Sequence, residues 1–236
     1  MKKLLMFVCL SGFAGFPSTA VAAPVVVGLA DGLAGNRFPW STTGGMRWQQ
    51  VFSAAELTGF VGQNLDQIAY QTVQGATGYT ISSLVISVST SNNAPGSLSS
   101  IFANNIGSDN TVVFNQANVT VGANSSSGGF DFALPFTTPF LYTGGDLLID
   151  VLAGGSSSAA TFFRANGSAV TTERVYSSQG SPGDAGGTAT SNGTLVTQLN
   201  FTAAGAPELH PGGAVLPLTF AALSCLIFSR RRRISY

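Results

Sequence analysis

Cysteine and histidine are missing from the body of this 236-residue chain: Cys9 and Cys225 lie near its two ends, and the one histidine, His210, precedes the second. Residues 23–205 therefore have no disulfide, no thiol nucleophile and no imidazole base. Ser–His and Cys–His catalysis are excluded there, as are zinc sites built on histidine or thiolate. A thiol-free product suits an oxidising exterior. Charge is also scarce, at 8% of residues. Between 23 and 205 only Arg37, Arg47, Arg164 and Arg174 face nine carboxylates (Asp31, Glu56, Asp66, Asp109, Asp131, Asp146, Asp150, Glu173, Asp184), a formal charge of −5. Without a basic patch to neutralise phosphates, nucleic acid is not an expected partner. Nor is there a phosphate-cradling loop, because GDAGG around Asp184 lacks the lysine and the strand–helix setting such a loop needs.

Most of the basic residues sit at the ends. Lys2 and Lys3 precede an uncharged, largely apolar run at 4–16, broken by Pro17 and Ser18, and Ala20-Val21-Ala22 supplies the small-x-small pattern of a signal-peptide cleavage site. The expectation is a signal peptide over 1–22, cut after Ala22 by signal peptidase once the translocon has engaged it. At the other end, 214–228 is uncharged and mostly apolar, and Arg230, Arg231, Arg232 and Arg233 follow. Fifteen helical residues cover roughly 22 Å, and extension to 212–229 makes a membrane span practicable. The arginine cluster stays cytoplasmic under the positive-inside rule, leaving 23–205 outside.

A Pro-Glu pair, an apolar helix and a terminal arginine cluster, in that order, resemble the PEP-CTERM sorting signal of bacterial envelope proteins. The residues that carry it are Pro207, Glu208, the run 214–228 and Arg230 to Arg233, with Leu209 where the pattern has its second proline. The resemblance implies an exosortase-type membrane peptidase as partner, removal of the tail over 206–236, and delivery to the cell surface or extracellular matrix.

The body shows no long helical period. Short apolar stretches separated by Gly, Ser, Thr and Asn predict strands joined by turns. Alternation is clearest at 194–202, where Leu195, Leu199 and Phe201 oppose Gln198, Asn200 and Thr202. Leu84, Ile86 and Val88 alternate with serines; Met46, Trp48 and Phe52 share a face; Phe130, Phe132, Leu134 and Phe136 form another ladder. By contrast 146–152 (DLLIDVL) is apolar on both sides, as a central strand is. Further strands are expected at 25–29, 66–73, 111–114, 117–121, 161–165 and 174–177, a short helix or turn at 98–104, and surface loops at 124–129 and 180–193. The expected fold class is all-β, an antiparallel two-sheet sandwich of jelly-roll type in one domain over 23–205.

Blocks of this body also resemble a domain of unknown function that recurs in secreted bacterial proteins with this type of tail. They are FPW at 38–40, WQQVFSAAEL at 48–57, LVISVSTS at 84–91, IFANNIGSDNTVVF at 101–114 and TPFLYTGGDLLIDV at 138–151. The resemblance implies a β-sandwich on an exported protein, and carries no catalytic residue.

Carboxylate chemistry remains open, since two acids suffice for glycoside hydrolysis. Asp146 and Asp150 share a strand face but stand about 13 Å apart at ~3.3 Å per residue, beyond the ~5–9.5 Å that glycosidases use. Glu56 and Asp131 would have to meet through tertiary folding. Asn104, Asn105, Asp109 and Asn110 make an oxygen-rich turn of the kind hard cations like, without D-x-D-x-D spacing; such runs also simply form turns. No metal and no cofactor is expected. Trp40 and Tyr142, next to turn residues, are the candidates for stacking on a sugar ring, with core packing as the alternative. The function expected is that of a non-enzymatic cell-surface or extracellular-matrix protein associated with exopolysaccharide or with itself. The alternatives are a carbohydrate-binding module and, behind it, a carboxylate-based glycoside hydrolase.

Overall fold

The computed structural model describes residues 24–28, 34–73, 75–124, 129–158, 161–166, 171–177 and 180–204. The expected signal peptide with its cleavage residues Ala20 and Ala22, the sorting motif at Pro207, Glu208 and Leu209, the span 212–229 and the arginine cluster lie outside them. The chain divides into a compact unit ending at Ala204 and a second, Gly205–Tyr236, which also falls outside the described residues. Among the described residues no helix is long and apolar enough to cross a membrane.

Among the described residues twelve strands follow in order: β1 (Val25–Val27), β2 (Ala34–Asn36), β3 (Met46–Phe52), β4 (Gln63–Tyr70), β5 (Tyr79–Thr90), β6 (Thr111–Val121), β7 (Phe132–Tyr142), β8 (Leu147–Ala153), β9 (Phe163–Ala165), β10 (Thr172–Tyr176), β11 (Thr188–Thr190) and β12 (Thr197–Ala203). Helical structure among the described residues is limited to three short 3-10 turns, Ala54–Glu56, Thr58–Phe60 and Phe102–Asn105. The fold is all-β. Every strand pairing is antiparallel, giving a four-stranded sheet β1-β12-β4-β7, a six-stranded sheet β11-β10-β3-β8-β5-β6 and the small pair β2-β9.

The alternating stretches become strands for the expected reason. Leu84, Ile86 and Val88 from β5, Trp48 and Phe52 from β3, Leu134 and Phe140 from β7 and Leu199 and Phe201 from β12 all enter one core cluster, so both large sheets contribute to the same interior. DLLIDVL is central as expected, with β8 between β3 and β5. Its second face is covered too: Leu148 joins Val51 and Val175 beneath Leu98 and Phe102, which reach over the six-stranded sheet from the segment between β5 and β6. This cover is why the serines of β5 do not all face water; Ser89 is buried along with Gln49 of β3.

Three expectations need correction. Residues 111–114 and 117–121 are one eleven-residue strand, β6, because the polar residues between them keep their pairing with β5 (Asn115 opposite Val85, Gln116 opposite Leu84). The loop expected at 180–193 contains β11, which pairs along β10 from Arg174–Thr190 to Tyr176–Thr188. β2 lay outside every expected strand; it is held by β9, a partner far along the chain.

Candidate functional site

Both expected stacking residues lie in the core. Trp40 is 0% exposed, boxed by Tyr70 (ring centroids 4.9 Å apart), Phe132 (5.3 Å, edge-on) and Phe163 (6.4 Å). Tyr142 is 1% exposed; its hydroxyl donates to the Gly145 carbonyl at 2.6 Å and its ring lies beside Phe201. Neither offers a face to a sugar. Proximity to a turn fixes where a residue sits along the chain, not which side of the sheet its ring occupies.

Four of the carboxylates, Asp146, Asp150, Asp131 and Glu173, are likewise committed to structure. Asp150 forms a two-pronged pair with Arg47 (Nε to Oδ1 3.2 Å, Nη2 to Oδ2 2.7 Å), and Arg47 stacks over Phe102 at 4.9 Å. Asp146 accepts the Ala54 N–H at 2.7 Å. Glu173, buried, accepts the N–H groups of Gly96 and Leu98 and so ties down the segment that covers the six-stranded sheet. Asp131 accepts from the Thr72 hydroxyl and the Asn124 amide at the Tyr70–Phe132 end of β4. Glu56 closes the 3-10 turn Ala54–Glu56, and its Oε2 is buried with no hydrogen-bond partner among the described residues. In the oxygen-rich turn, the side-chain oxygen of Asn105 accepts from Ser99 N–H and the Asn93 amide, and Asp109 accepts from the N–H and hydroxyl of Thr90. Those oxygens serve the chain's own donors, not a shared cation centre.

Tertiary folding instead builds a different place, at the open end of β10. Tyr176 pairs across to Trp48 and Arg174 to Gln50, so the four side chains share one face of the sheet. The Arg174 guanidinium lies over both Trp48 (4.9 Å) and Tyr176 (4.7 Å), and its Nε donates to the Asn192 carbonyl at 2.7 Å. Burial lowers its pKa to about 10, which leaves it protonated at neutral pH. The next layer comes from the segment after β2. Asn36 donates to the Gly193 carbonyl (2.7 Å) and accepts the Phe38 N–H (3.1 Å), which sets the Phe38 ring 5.6 Å from Tyr176 at 30°. Arg37 then lies over Phe38 at 5.6 Å. The result is one continuous stack, Arg37–Phe38–Tyr176–Arg174–Trp48.

Phe38, Tyr176 and Arg37 line a cleft of about 480 Å³ whose floor is the 42–46 turn. Gly45 is required in that floor: it has φ +78°, and a Cβ there would sit 2.7 Å from the Ala153 carbonyl oxygen. Across Thr43 lies a second depression of about 460 Å³, lined by the hydroxyls of Thr80, Ser82, Ser156 and Ser157 and by Asn118. Among the described residues no carboxylate lines either depression. With an arginine at its rim and a row of neutral donors and acceptors beside it, the cleft suits a polyhydroxylated ligand held by hydrogen bonds, the faces of Phe38 and Tyr176 being taken up in the stack.

Sequence reasoning had Phe38 only as part of FPW and Tyr176 only inside a strand. One usable signal was present: Arg174 and Tyr176, two apart on a strand, must share a face. No family model, no curated protein and no solved structure matches the chain.

Proposed function

We propose that the chain is an exported, non-enzymatic protein of the cell surface or extracellular matrix. Its body is a two-sheet β-sandwich of jelly-roll type, which retains extracellular polysaccharide in the cleft that Phe38 and Tyr176 line. The observation that carries the reading is the half-buried Phe38–Tyr176 pair with Arg37 at its rim, opening beside a hydroxyl-lined depression. Asp150, Asp146, Glu173 and Asp109 instead hold Arg47, backbone N–H groups and a hydroxyl, which supports a binding role over a hydrolytic one. The signal peptide ending at Ala22 and the tail with Pro207, Glu208, Leu209 and Arg230 to Arg233 supply the export half of the proposal, with the translocon, signal peptidase and an exosortase-type peptidase as processing partners.

Electrophoresis through gels containing different polysaccharides tests the binding half. Retarded migration in at least one gel is expected, and Tyr176→Ala or Phe38→Ala should remove most of it, since both residues line the cleft and Phe38 carries Arg37 at its rim. Retardation indifferent to both substitutions would overturn the cleft. Mass spectrometry of protein recovered from cells and medium tests the export half: a product starting at Ala23 and lacking the tail is expected, and the intact chain in the cytosol sinks it.

A further inference from the structure

A sheet edge offers unpaired N–H and C=O groups to any passing strand, and three of the four edges of the two large sheets are guarded against this. β1 and β11 are each three residues long, and β7 carries Pro135 and Pro139, which have no N–H to give. The fourth edge, β6, is eleven residues long and contains neither a charge nor a proline. Its beginning is occupied, because the Thr137 hydroxyl donates to the Val113 carbonyl at 3.0 Å. Past that point Asn115, Gln116, Ala117, Asn118 and Thr120 are exposed. Four exposed residues in a row mean that both faces of the strand stand clear there. The amide and hydroxyl side chains among them hydrogen-bond to nothing among the described residues.

We propose that residues 115–119 of β6 pair with the same segment of a second copy of this chain, antiparallel and about a two-fold axis at Ala117. A strand pairing with itself sets each residue opposite another from the same strand, so any cluster of like charge is self-excluding; an uncharged strand meets no such penalty. With the axis at Ala117, the small side chain lies at the closest approach and Gln116 faces Asn118 of the second copy. The arrangement is isologous and closes at two copies, joining the six-stranded sheets edge to edge. Five residues give about 17 Å of ladder, and the left-handed Asn118 (φ 55°) keeps it short. The area covered falls at the low end for a specific interface, so the pairing is reversible and concentration-dependent.

Sedimentation of the protein recovered from cells, over a concentration series, tests this independently of polysaccharide binding, and Tyr176→Ala should sediment like the parent chain. A reversible monomer–dimer equilibrium is expected. Ala117→Lys and Ala117→Glu should each weaken it at least tenfold, and an equimolar mixture of the two should restore it, because the axis then brings opposite charges together. Thr202→Lys, on an exposed position of β12, should leave it unchanged, and circular dichroism should show all variants folded. A monomer at every concentration, a dimer indifferent to both Ala117 variants, or no recovery on mixing would each overturn the proposal.

Discussion

Gln50 lies in the interior and links the six-stranded sheet to the segment leading into β12, 145 positions away. Its Nε2 donates to the Leu195 carbonyl and its Oε1 accepts the Leu195 N–H, both at 2.8 Å. Gln50→Met keeps the shape of the side chain and removes both bonds. The Leu195 N–H is then buried without a partner, at about 1–3 kcal/mol. Its carbonyl keeps the Thr197 hydroxyl at 3.0 Å, so the second loss is smaller, about 1 kcal/mol. The expected destabilisation is about 2–4 kcal/mol, a fall in Tm of about 6–12 °C at roughly 3 °C per kcal/mol for a domain of this size. Urea and thermal denaturation read it directly. The effect should also reach the cleft, because the same segment supplies the Asn192 and Gly193 carbonyls that hold Arg174 and Asn36, and with them Tyr176 and Phe38. Gln198→Met, which removes only a bond to Asn200, should stay within about 0.5 kcal/mol of the parent. If Gln50→Met did the same, the Gln50–Leu195 link would not be what fixes this end of the domain.

Trp40→Ala should cost about 3–5 kcal/mol, the range for emptying a large aromatic site, and a loss under about 1 kcal/mol in urea denaturation would contradict the aromatic box around it. Alkali gives a separate test. Burial raises the phenols of Tyr70 and Tyr79, and burial with the nearby Asp146 charge raises that of Tyr142, above the ordinary value near 10. The folded chain therefore holds these protons more tightly than the unfolded chain does. Their contribution to stability is intact below pH ~10 and is lost as the pH rises beyond it. Tyrosinate absorbance from these three residues should appear together with the loss of the β-sheet dichroism; ionisation well before unfolding would show that they are not sealed.

Much of the sheet structure was legible because alternation is a local property. Leu199 and Phe201 on one side of β12, and Leu84, Ile86 and Val88 on one side of β5, needed no knowledge of their partners to be read as inward-facing. The both-sided DLLIDVL likewise announced a central strand. Illegible were features supplied by distant chain: β2 exists through β9, β11 through β10, and the continuity of β6 through β5.

The class of fold, the scarcity of charge and the absence of thiol and imidazole chemistry from the body follow from composition and period, which are carried by each residue and its near neighbours. That Trp40 and Tyr142 turn inward and that Phe38 meets Tyr176 follows from long-range pairing alone. Those outcomes depend on which strands become neighbours, and the pairing of Gln50 with Leu195 or of Asn36 with Gly193 joins residues that no local pattern relates.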